Sequence, residues 1–236
     1  MEFTLLGSVA VAALFMYGVV RFESGRTNAA DCTKDVWDAL ISAAVVGVAV
    51  GRLAAMIQAG TNPISHPGDI LIVRAGVDTV TASVAALTTY VVLTRSDPWW
   101  LADSAAPAAL AGITGWHGGC VVRDACLGTP SDLPWAVTQS GSAISRHPVE
   151  IYAALLLGLA VVLLILWKRH RPGAGVIAAV AIGVASATRW ITEPLRPGLG
   201  NDLSWWYASA TIAAIFLIVW RTHLARSSDT ESVEAD

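Results

Sequence analysis

Arginine side chains in or beside apolar sequence are the first candidates for chemistry in this chain. Arg189 and Glu193 are four residues apart and share one face if the helix reaches that far. Arg52 lies within the second apolar stretch, directly after Gly51, and Arg196 lies just beyond the stretch that carries Arg189. Because a guanidinium binds phosphate through two parallel hydrogen bonds, these arginines favour an anionic ligand, and a phospholipid headgroup is the obvious candidate.

The composition indicates a membrane as the setting for these side chains. The chain has 236 residues, of which 55% are hydrophobic and 14% charged, with a mean hydropathy of +0.58; soluble domains carry about 25% charged residues. The net charge of −3 leaves no large basic patch, so no nucleic-acid partner is expected. Three cysteines are too few for a disulfide framework, and no HExxH, GxSxG, Walker A or CxxC pattern occurs.

Seven stretches are long and apolar enough to cross the hydrocarbon core, which takes about 20 residues. We therefore predict an all-α polytopic membrane protein with seven transmembrane helices in residues 1–226, followed by a polar, acidic tail at 227–236. The predicted spans are Phe3–Val20, Ala39–Ile57, Ile70–Leu93, Trp99–Gly115, Ile151–Trp167, Ala174–Ile191 and Leu203–Val219.

The basic residues between the spans predict the orientation, because short cytoplasmic loops carry an excess of Lys and Arg. With the N-terminus outside and the C-terminus in the cytoplasm, nine basic residues lie inside and three outside. The nine are Arg21, Arg26, Lys34, Arg95, Lys168, Arg169, Arg171, Arg221 and Arg226, and the three are Arg123, Arg146 and Arg196. The long loop at 116–150, between spans four and five, is then an extracytoplasmic cap.

Small residues predict which spans lie inside the bundle, because helices in lipid associate where backbones approach closely. Gly47 and Gly51 form a GxxxG pair in the second span. A small residue also recurs at every fourth position of the sixth span, at Gly175, Ala179, Gly183 and Ala187. Arg74 and Asp78 are four residues apart, and we interpret them as a pair that neutralises itself.

The chemistry alone allows a lipid-processing enzyme, a channel or carrier, or a lipid-binding scaffold, but several longer motifs are more specific. Gly128–Val137 reads GTPSDLPWAV, Arg146–Tyr152 reads RHPVEIY, Val50–Leu53 reads VGRL and Arg189–Arg196 reads RWITEPLR. In this order they resemble the motifs GxPTDLPWGV, RHPxQLYE, GGRLG and RFxxEFxR of the bacterial prolipoprotein diacylglyceryl transferase family. The resemblance covers nearly the whole chain, with its motifs concentrated in 46–56 and 115–200.

The resemblance implies a transferase of the bacterial cytoplasmic membrane that needs no metal or organic cofactor. Such an enzyme moves a diacylglyceryl group from phosphatidylglycerol to the lipobox cysteine of a prolipoprotein, with membrane lipids as its surroundings. The candidate catalytic residues are Arg189 and Glu193, which match family motif positions, and His117, which is a candidate replacement where the chain departs from the family. The candidate substrate-binding residues are Arg52, Gly128, Arg146, His147, Tyr152 and Arg196, which lie in the matching motifs, and Arg123, which is a second candidate replacement.

The chain departs from the family motifs at several positions. Residues 77–82 hold no histidine where the family has SxHGG, and Ala153 replaces the final glutamate of RHPxQLYE. In the segment that matches GRxGNFxNxE, His117 takes the arginine position and Cys120 the first asparagine position. Histidine is the residue type best suited to accept a proton at physiological pH, so His117 is a candidate base.

Two interpretations fit these departures. Either His117, Arg123 or Asp124 has taken over the missing roles in a divergent enzyme, or the chain is a catalytically degenerate paralogue that binds phospholipid or prolipoprotein. A small-molecule or ion carrier is a more distant alternative. Cys120 and Cys126 are either a disulfide or two free thiols, since their spacing fits both.

Overall fold

The computed structural model describes residues 3–24, 30–63, 65, 77–94, 98–123, 126–170, 174–197 and 203–234, and this part of the chain is mostly helical. A short 3-10 helix lies at Glu193–Leu195, and two short antiparallel strands, β1 (Val137–Thr138) and β2 (Ser145–Arg146), lie in the long loop. The α-helices are α1 (Phe3–Ser24), α2 (Ala30–Gln58), α3 (Thr79–Leu93), α4 (Pro98–Gly118), α5 (Cys120–Arg123), α6 (Val149–Lys168), α7 (Val176–Thr192) and α8 (Ser204–Glu234).

Four helical segments of the described chain are long and apolar enough to cross a membrane. They are Trp37–Gln58, Val149–Lys168, Val176–Leu195 and Ser204–Leu224. Large apolar side chains cover their outer surfaces, as at Leu155 and Phe216, which are 68% and 71% exposed. An outer surface of this kind suits lipid and not water, so the chain is a helical membrane protein, as predicted.

The remaining predicted elements map onto the structure as follows. The spans Phe3–Val20 and Trp99–Gly115 coincide with α1 and α4, whereas α3 begins only at Thr79, and residues 70–76 lie outside the described residues. Asp78 accepts a hydrogen bond from the Thr81 backbone N–H at 2.8 Å and so caps α3, while Arg74, its predicted partner, is outside the described chain. The backbone of α8 remains helical through the predicted tail as far as Glu234.

Small residues allow the close helix packing that the sequence predicted. A Cβ at Gly47 would lie 2.8 Å from the Ala86 Cβ atom, and a Cβ at Gly51 would lie 2.6 Å from that of Ala82. The GxxxG pair of α2 therefore forms the contact with α3, and the location of this span inside the bundle stays a prediction. On α7, a Cβ at Gly183 would approach the Ala214 Cβ atom of α8 to 3.3 Å.

The helix α4 is central to the core; it runs antiparallel to α1 and α6 and parallel to α7. Leu110 of α4 packs with Leu157 of α6 and Ile177 of α7 in one buried cluster. On its other side, α4 approaches α1 so closely that a Cβ at Gly115 would lie 2.8 Å from the Ala12 Cα atom. This packing brings the end of α4, the beginning of α6, the end of α7 and the beginning of α8 to one end of the bundle.

Candidate active site

Five ionisable side chains from three helices and the turn after α7 form a continuous chain of contacts at this end of the bundle. The members of this ion-pair cluster are His117, Glu150, Arg196, Glu193 and Arg189. Glu150 is its centre, because one carboxylate oxygen contacts His117 Nδ1 and the other accepts a hydrogen bond from Arg196 Nη1. Sequence separations of 33 and 46 residues make both contacts products of the fold.

Glu193 connects the two arginines of the cluster. Its Oε2 atom lies 3.7 Å from Arg196 Nε and 3.6 Å from Arg189 Nη2. Arg189 also donates a hydrogen bond to the Tyr207 hydroxyl at 3.0 Å, and its Cζ atom lies 5.1 Å from the centroid of that ring. The i,i+4 pair of Arg189 and Glu193 expected from the sequence is therefore present.

Local sequence explains why the cluster forms at helix ends. His117 and Arg189 lie in the last turns of α4 and α7, where the helix dipole favours positive charge. Glu150 lies in the first turn of α6, where the dipole favours negative charge. Pro194 has no backbone N–H to continue the α-helix, and α7 gives way to a 3-10 turn that carries Arg196 back toward Glu150.

Several polar atoms of the cluster are buried without a hydrogen-bond partner in the described part of the chain. They are Arg196 Nε, Arg196 Nη2 and Glu193 Oε2. A buried donor without an acceptor costs free energy, and two free guanidinium N–H groups side by side suit an oxyanion. The cluster therefore has the chemistry of a site for a phosphate group.

The long loop is attached to the same end of the bundle by backbone hydrogen bonds. The Thr129 N–H donates to the Leu195 carbonyl oxygen at 2.8 Å, and the His147 N–H donates to the Thr129 carbonyl oxygen at 3.0 Å. Arg146 Nη1 donates to the Gly128 carbonyl oxygen at 3.1 Å. The loop therefore contacts the 3-10 turn of the cluster directly.

Gly128 lies where the loop, the 3-10 turn and α6 meet. A Cβ there would collide with Val149 Cγ2 and would lie 2.6 Å from the Leu195 carbonyl oxygen. Only glycine fits without a shift of the backbone, so this position has a packing reason. Its predicted role in substrate binding stays a prediction.

The aromatic residues of the RHPVEIY motif form a second group beside the cluster. Trp135 Nε1 donates a hydrogen bond to the Tyr152 hydroxyl at 2.7 Å, and the His147 and Tyr152 rings meet edge to face with centroids 6.3 Å apart. His147 Nδ1 is buried and has no hydrogen-bond partner among the described residues. Trp135 itself is 57% exposed, so one side of this group is open.

Two predicted site residues lie on other elements. Arg52 is 3% exposed in α2, next to the glycine that packs against α3. Arg123 ends the short helix α5, and its side chain is outside what the structure describes. The roles of both residues in substrate binding stay predictions.

Cys120 and Cys126 form a disulfide, which decides between the two alternatives that the sequence left open. Both half-cystines are buried, at 0% and 8% exposure. Beside them, the Ser8 hydroxyl of α1 donates to the Gly119 carbonyl oxygen at 3.0 Å. The chain that follows His117 is therefore fixed by both a covalent bond and a contact with α1.

Sequence reasoning missed two residues of this end of the bundle. Glu150 is the only acidic residue of the RHPVEIY string, and it lies at the start of a long apolar stretch. An ionisable residue at such a position is a signal for a functional site. Tyr207 had no comparable signal, because its contact with Arg189 depends on how α8 packs on α7.

The family model for prolipoprotein diacylglyceryl transferase matches residues 3–226. A phosphatidylglycerol–prolipoprotein diacylglyceryl transferase of Geobacter sulfurreducens is 28% identical over 200 residues, covering 81% of this chain and 75% of the relative. One from Paracidovorax citrulli is 31% identical over 207 residues, covering 79% and 76%.

The match confirms the family that the motifs suggested, and it extends over the apolar helices as well as over the motif-bearing segments. A third relative, from Bordetella avium and of the same name, is 29% identical over 79% of this chain. The chain belongs to the prolipoprotein diacylglyceryl transferase family.

Proposed function

We propose that this protein transfers the diacylglyceryl group of phosphatidylglycerol to the lipobox cysteine of prolipoproteins and releases glycerol phosphate. The observation that carries the proposal is the ion-pair cluster, which joins residues of three family-like motifs at one end of the bundle. The names of the relatives support the same reaction. A degenerate paralogue or a carrier is less well supported, because both arginines and a candidate base are present together.

Arg189 and Arg196 bind the phosphate of phosphatidylglycerol in this proposal. Their side chains are 24% and 19% exposed overall, whereas the Nε and Nη2 atoms of Arg196 are buried and so screened from bulk water. The two N–H groups of Arg196 that lack partners are available to a phosphate oxygen. As the carbon–oxygen bond breaks, negative charge grows on the phosphate, and donors already in place stabilise it in the transition state.

His117 and Glu193 complete the proposed catalytic group. A thiol attacks as its thiolate, so a base beside the cysteine accelerates the transfer. His117 is the proposed base, and Glu193 keeps the two arginines at fixed positions through its contacts of 3.6 and 3.7 Å.

The remaining predicted residues bind substrate or shape the site. Gly128, Arg146, His147 and Tyr152 belong to the loop and the start of α6, beside the cluster, and we propose that they contact the headgroup or the lipobox segment. Arg52 and Arg123 are proposed to contribute further positive charge toward the anionic lipid.

We propose the seven-span topology in the bacterial cytoplasmic membrane, with the N-terminus outside and the C-terminus in the cytoplasm. The distribution of basic residues supports it, since Lys168, Arg169 and Arg221 then lie on the cytoplasmic side. The ion-pair cluster and the loop at 116–150 then face outward as an extracytoplasmic cap, where an exported prolipoprotein can reach them.

The proposal is tested by transfer of labelled diacylglycerol from phosphatidylglycerol to a lipobox peptide by the purified protein. We expect transfer to the cysteine peptide, none to a peptide with serine in its place, and a loss of about 10²-fold in Arg189→Ala. A folded wild-type protein that binds phosphatidylglycerol but transfers nothing would overturn the proposal and favour the degenerate paralogue.

A further inference from the structure

Two departures from the family motifs meet in the structure. His117 stands where the family motif has arginine, and Glu150 stands where RHPxQLYE has glutamine. Their side chains contact each other through His117 Nδ1 and Glu150 Oε2, across 33 residues of sequence. The side chains are only 5% and 13% exposed.

The contact determines which ring nitrogen of His117 can act as a base. An ionised carboxylate only accepts hydrogen bonds, so Nδ1 carries the hydrogen. A neutral imidazole with its hydrogen on Nδ1 has its free electron pair on Nε2. Among the described residues Nε2 has no hydrogen-bond partner, which leaves it available to a substrate.

We propose that Glu150 is a positioning residue that holds His117 in this tautomer, with Nε2 as the acceptor for the proton of the lipobox thiol. This inference rests on the transfer reaction proposed above. Such a carboxylate orients the ring and stabilises the imidazolium that forms, without itself taking the proton.

Glu150 also accepts a hydrogen bond from Arg196. The guanidinium donates to Glu150 Oε1 while the imidazole contacts Oε2, so the carboxylate connects the base to the proposed phosphate site. The opposite charge of Arg196 also favours the ionised form of the carboxylate, which the tautomer assignment needs. Glu150 therefore fixes both the direction of the imidazole and its distance from the arginines.

The step balances with the groups present. The thiol proton moves to His117 Nε2, and the sulfur forms a bond to the glyceryl carbon of the diacylglyceryl group. The bond between that carbon and the phosphate oxygen breaks, and its electron pair leaves with the phosphate. The imidazolium then returns its proton to the released glycerol phosphate, and no oxidant, reductant or metal takes part.

A purely structural role is the competing interpretation, because the same contacts also join α4 to α6. A selenocysteine lipobox peptide separates the two, since a selenol is already ionised at neutral pH and needs no base. The full-length protein, in phosphatidylglycerol vesicles, is assayed with freshly reduced cysteine and selenocysteine peptides. The variants are Glu150→Gln, His117→Ala and Glu193→Gln, and circular dichroism checks the fold of each.

We expect Glu150→Gln and His117→Ala to lose about 10- to 10²-fold in kcat with the cysteine peptide and about 3-fold or less with the selenocysteine peptide. Glu193→Gln, which does not touch His117, is expected to lose the same factor with both peptides. His117→Ala leaves the contact between Glu150 and Arg196 in place, so it reports on the base even if Glu150→Gln fails to fold.

Equal losses with both peptides in His117→Ala and Glu150→Gln would overturn the positioning role. Wild-type protein that transfers to neither peptide would instead contradict the underlying transferase proposal. The two failures are therefore distinguishable in one set of assays.

Discussion

The two ends of the helix bundle use charged residues in opposite ways. One end carries the ion-pair cluster, and the opposite end, which we call the closed end, carries Lys168, Glu23 and Asp103. At the closed end, Lys168 Nζ lies 3.1 and 3.2 Å from the two carboxylate oxygens of Glu23. Asp103 accepts hydrogen bonds from the Gly175 and Ala178 backbone N–H groups at 2.7 and 2.8 Å and so caps α7. Among the described residues, the buried side-chain polar atoms that lack a hydrogen-bond partner lie outside the closed end. They include atoms of Arg196 and Glu193 in the ion-pair cluster.

The difference indicates two roles for charged side chains: those at the closed end stabilise the fold, and those of the ion-pair cluster are proposed to bind a ligand. At the closed end Lys168, Glu23 and Asp103 are matched within the protein, which is what buried polar groups need for stability. At the cluster the arginines neutralise two carboxylates and still retain free N–H donors. A phosphate would supply the missing acceptors, so we propose that substrate binds at the end that carries the ion-pair cluster.

Among the variants that test this difference between the two ends, Arg196→Ala is expected to have the largest effect on transfer activity. Arg196→Ala removes both the donors without partners and the hydrogen bond to Glu150. We expect transfer to fall by about 10²-fold or more, while Arg196→Lys, which keeps the charge but not the planar fork, falls by about 10-fold. The transfer assay measures both, and equal activity of the lysine variant and the wild type would contradict a bidentate role.

Substitution of Gly128 tests whether the loop must lie against the cluster. Gly128→Ala brings a methyl group into collision with Val149 and the Leu195 carbonyl, and overpacking of this kind costs about 1–3 kcal/mol. We expect about 10-fold loss of transfer with unchanged helical content. The matched control is Gly18→Ala, since a Cβ at Gly18 meets nothing within 4 Å; a similar loss in that variant would contradict the local explanation.

Truncation of Asp103 tests the closed end. Asp103→Ala removes both hydrogen bonds to the start of α7 and leaves two backbone N–H groups without acceptors. We expect a loss of about 1–2 kcal/mol in stability, seen as a lower melting temperature in detergent. Transfer per folded molecule is expected to stay within about 2-fold of the wild type, and a larger loss would mean that the closed end also serves catalysis.

The smallest effect is expected at Lys168. Its ion pair with Glu23 is 27% exposed on the lysine side, and partly exposed pairs contribute about 0–1 kcal/mol. Lys168→Ala should therefore change the melting temperature slightly and the transfer activity not at all. A strong loss of activity would erase the distinction between the two ends.

The sequence predicted those structural features that depend on a short range of residues. The membrane-spanning character follows from runs of apolar residues, and the Arg189–Glu193 pair follows from their helical spacing. The packing of Gly51 on Ala82 follows from the GxxxG pattern. In each case one helix carries the signal.

Long-range contacts were not predictable in the same way. Glu150 joins His117 and Arg196 only because the folded chain brings the ends of α4, α6 and α7 together. The disulfide was one of two equal alternatives until the positions of Cys120 and Cys126 were known. A charged or thiol side chain can pair with several partners, and the packing of the helices determines which partner it meets. A single sequence does not show that packing.

A matched pair of arginines tests the contrast between the two ends most directly. Arg189 and Arg221 both lie against aromatic rings, with Cζ atoms 5.1 Å from the Tyr207 centroid and 4.4 Å from the Trp99 centroid, but at opposite ends of the bundle. The measurement is transfer from phosphatidylglycerol to the lipobox peptide by Arg189→Ala and Arg221→Ala. We predict a loss of about 10²-fold in the first and less than about 2-fold in the second; equal losses would contradict the assignment of the ion-pair cluster as the active site.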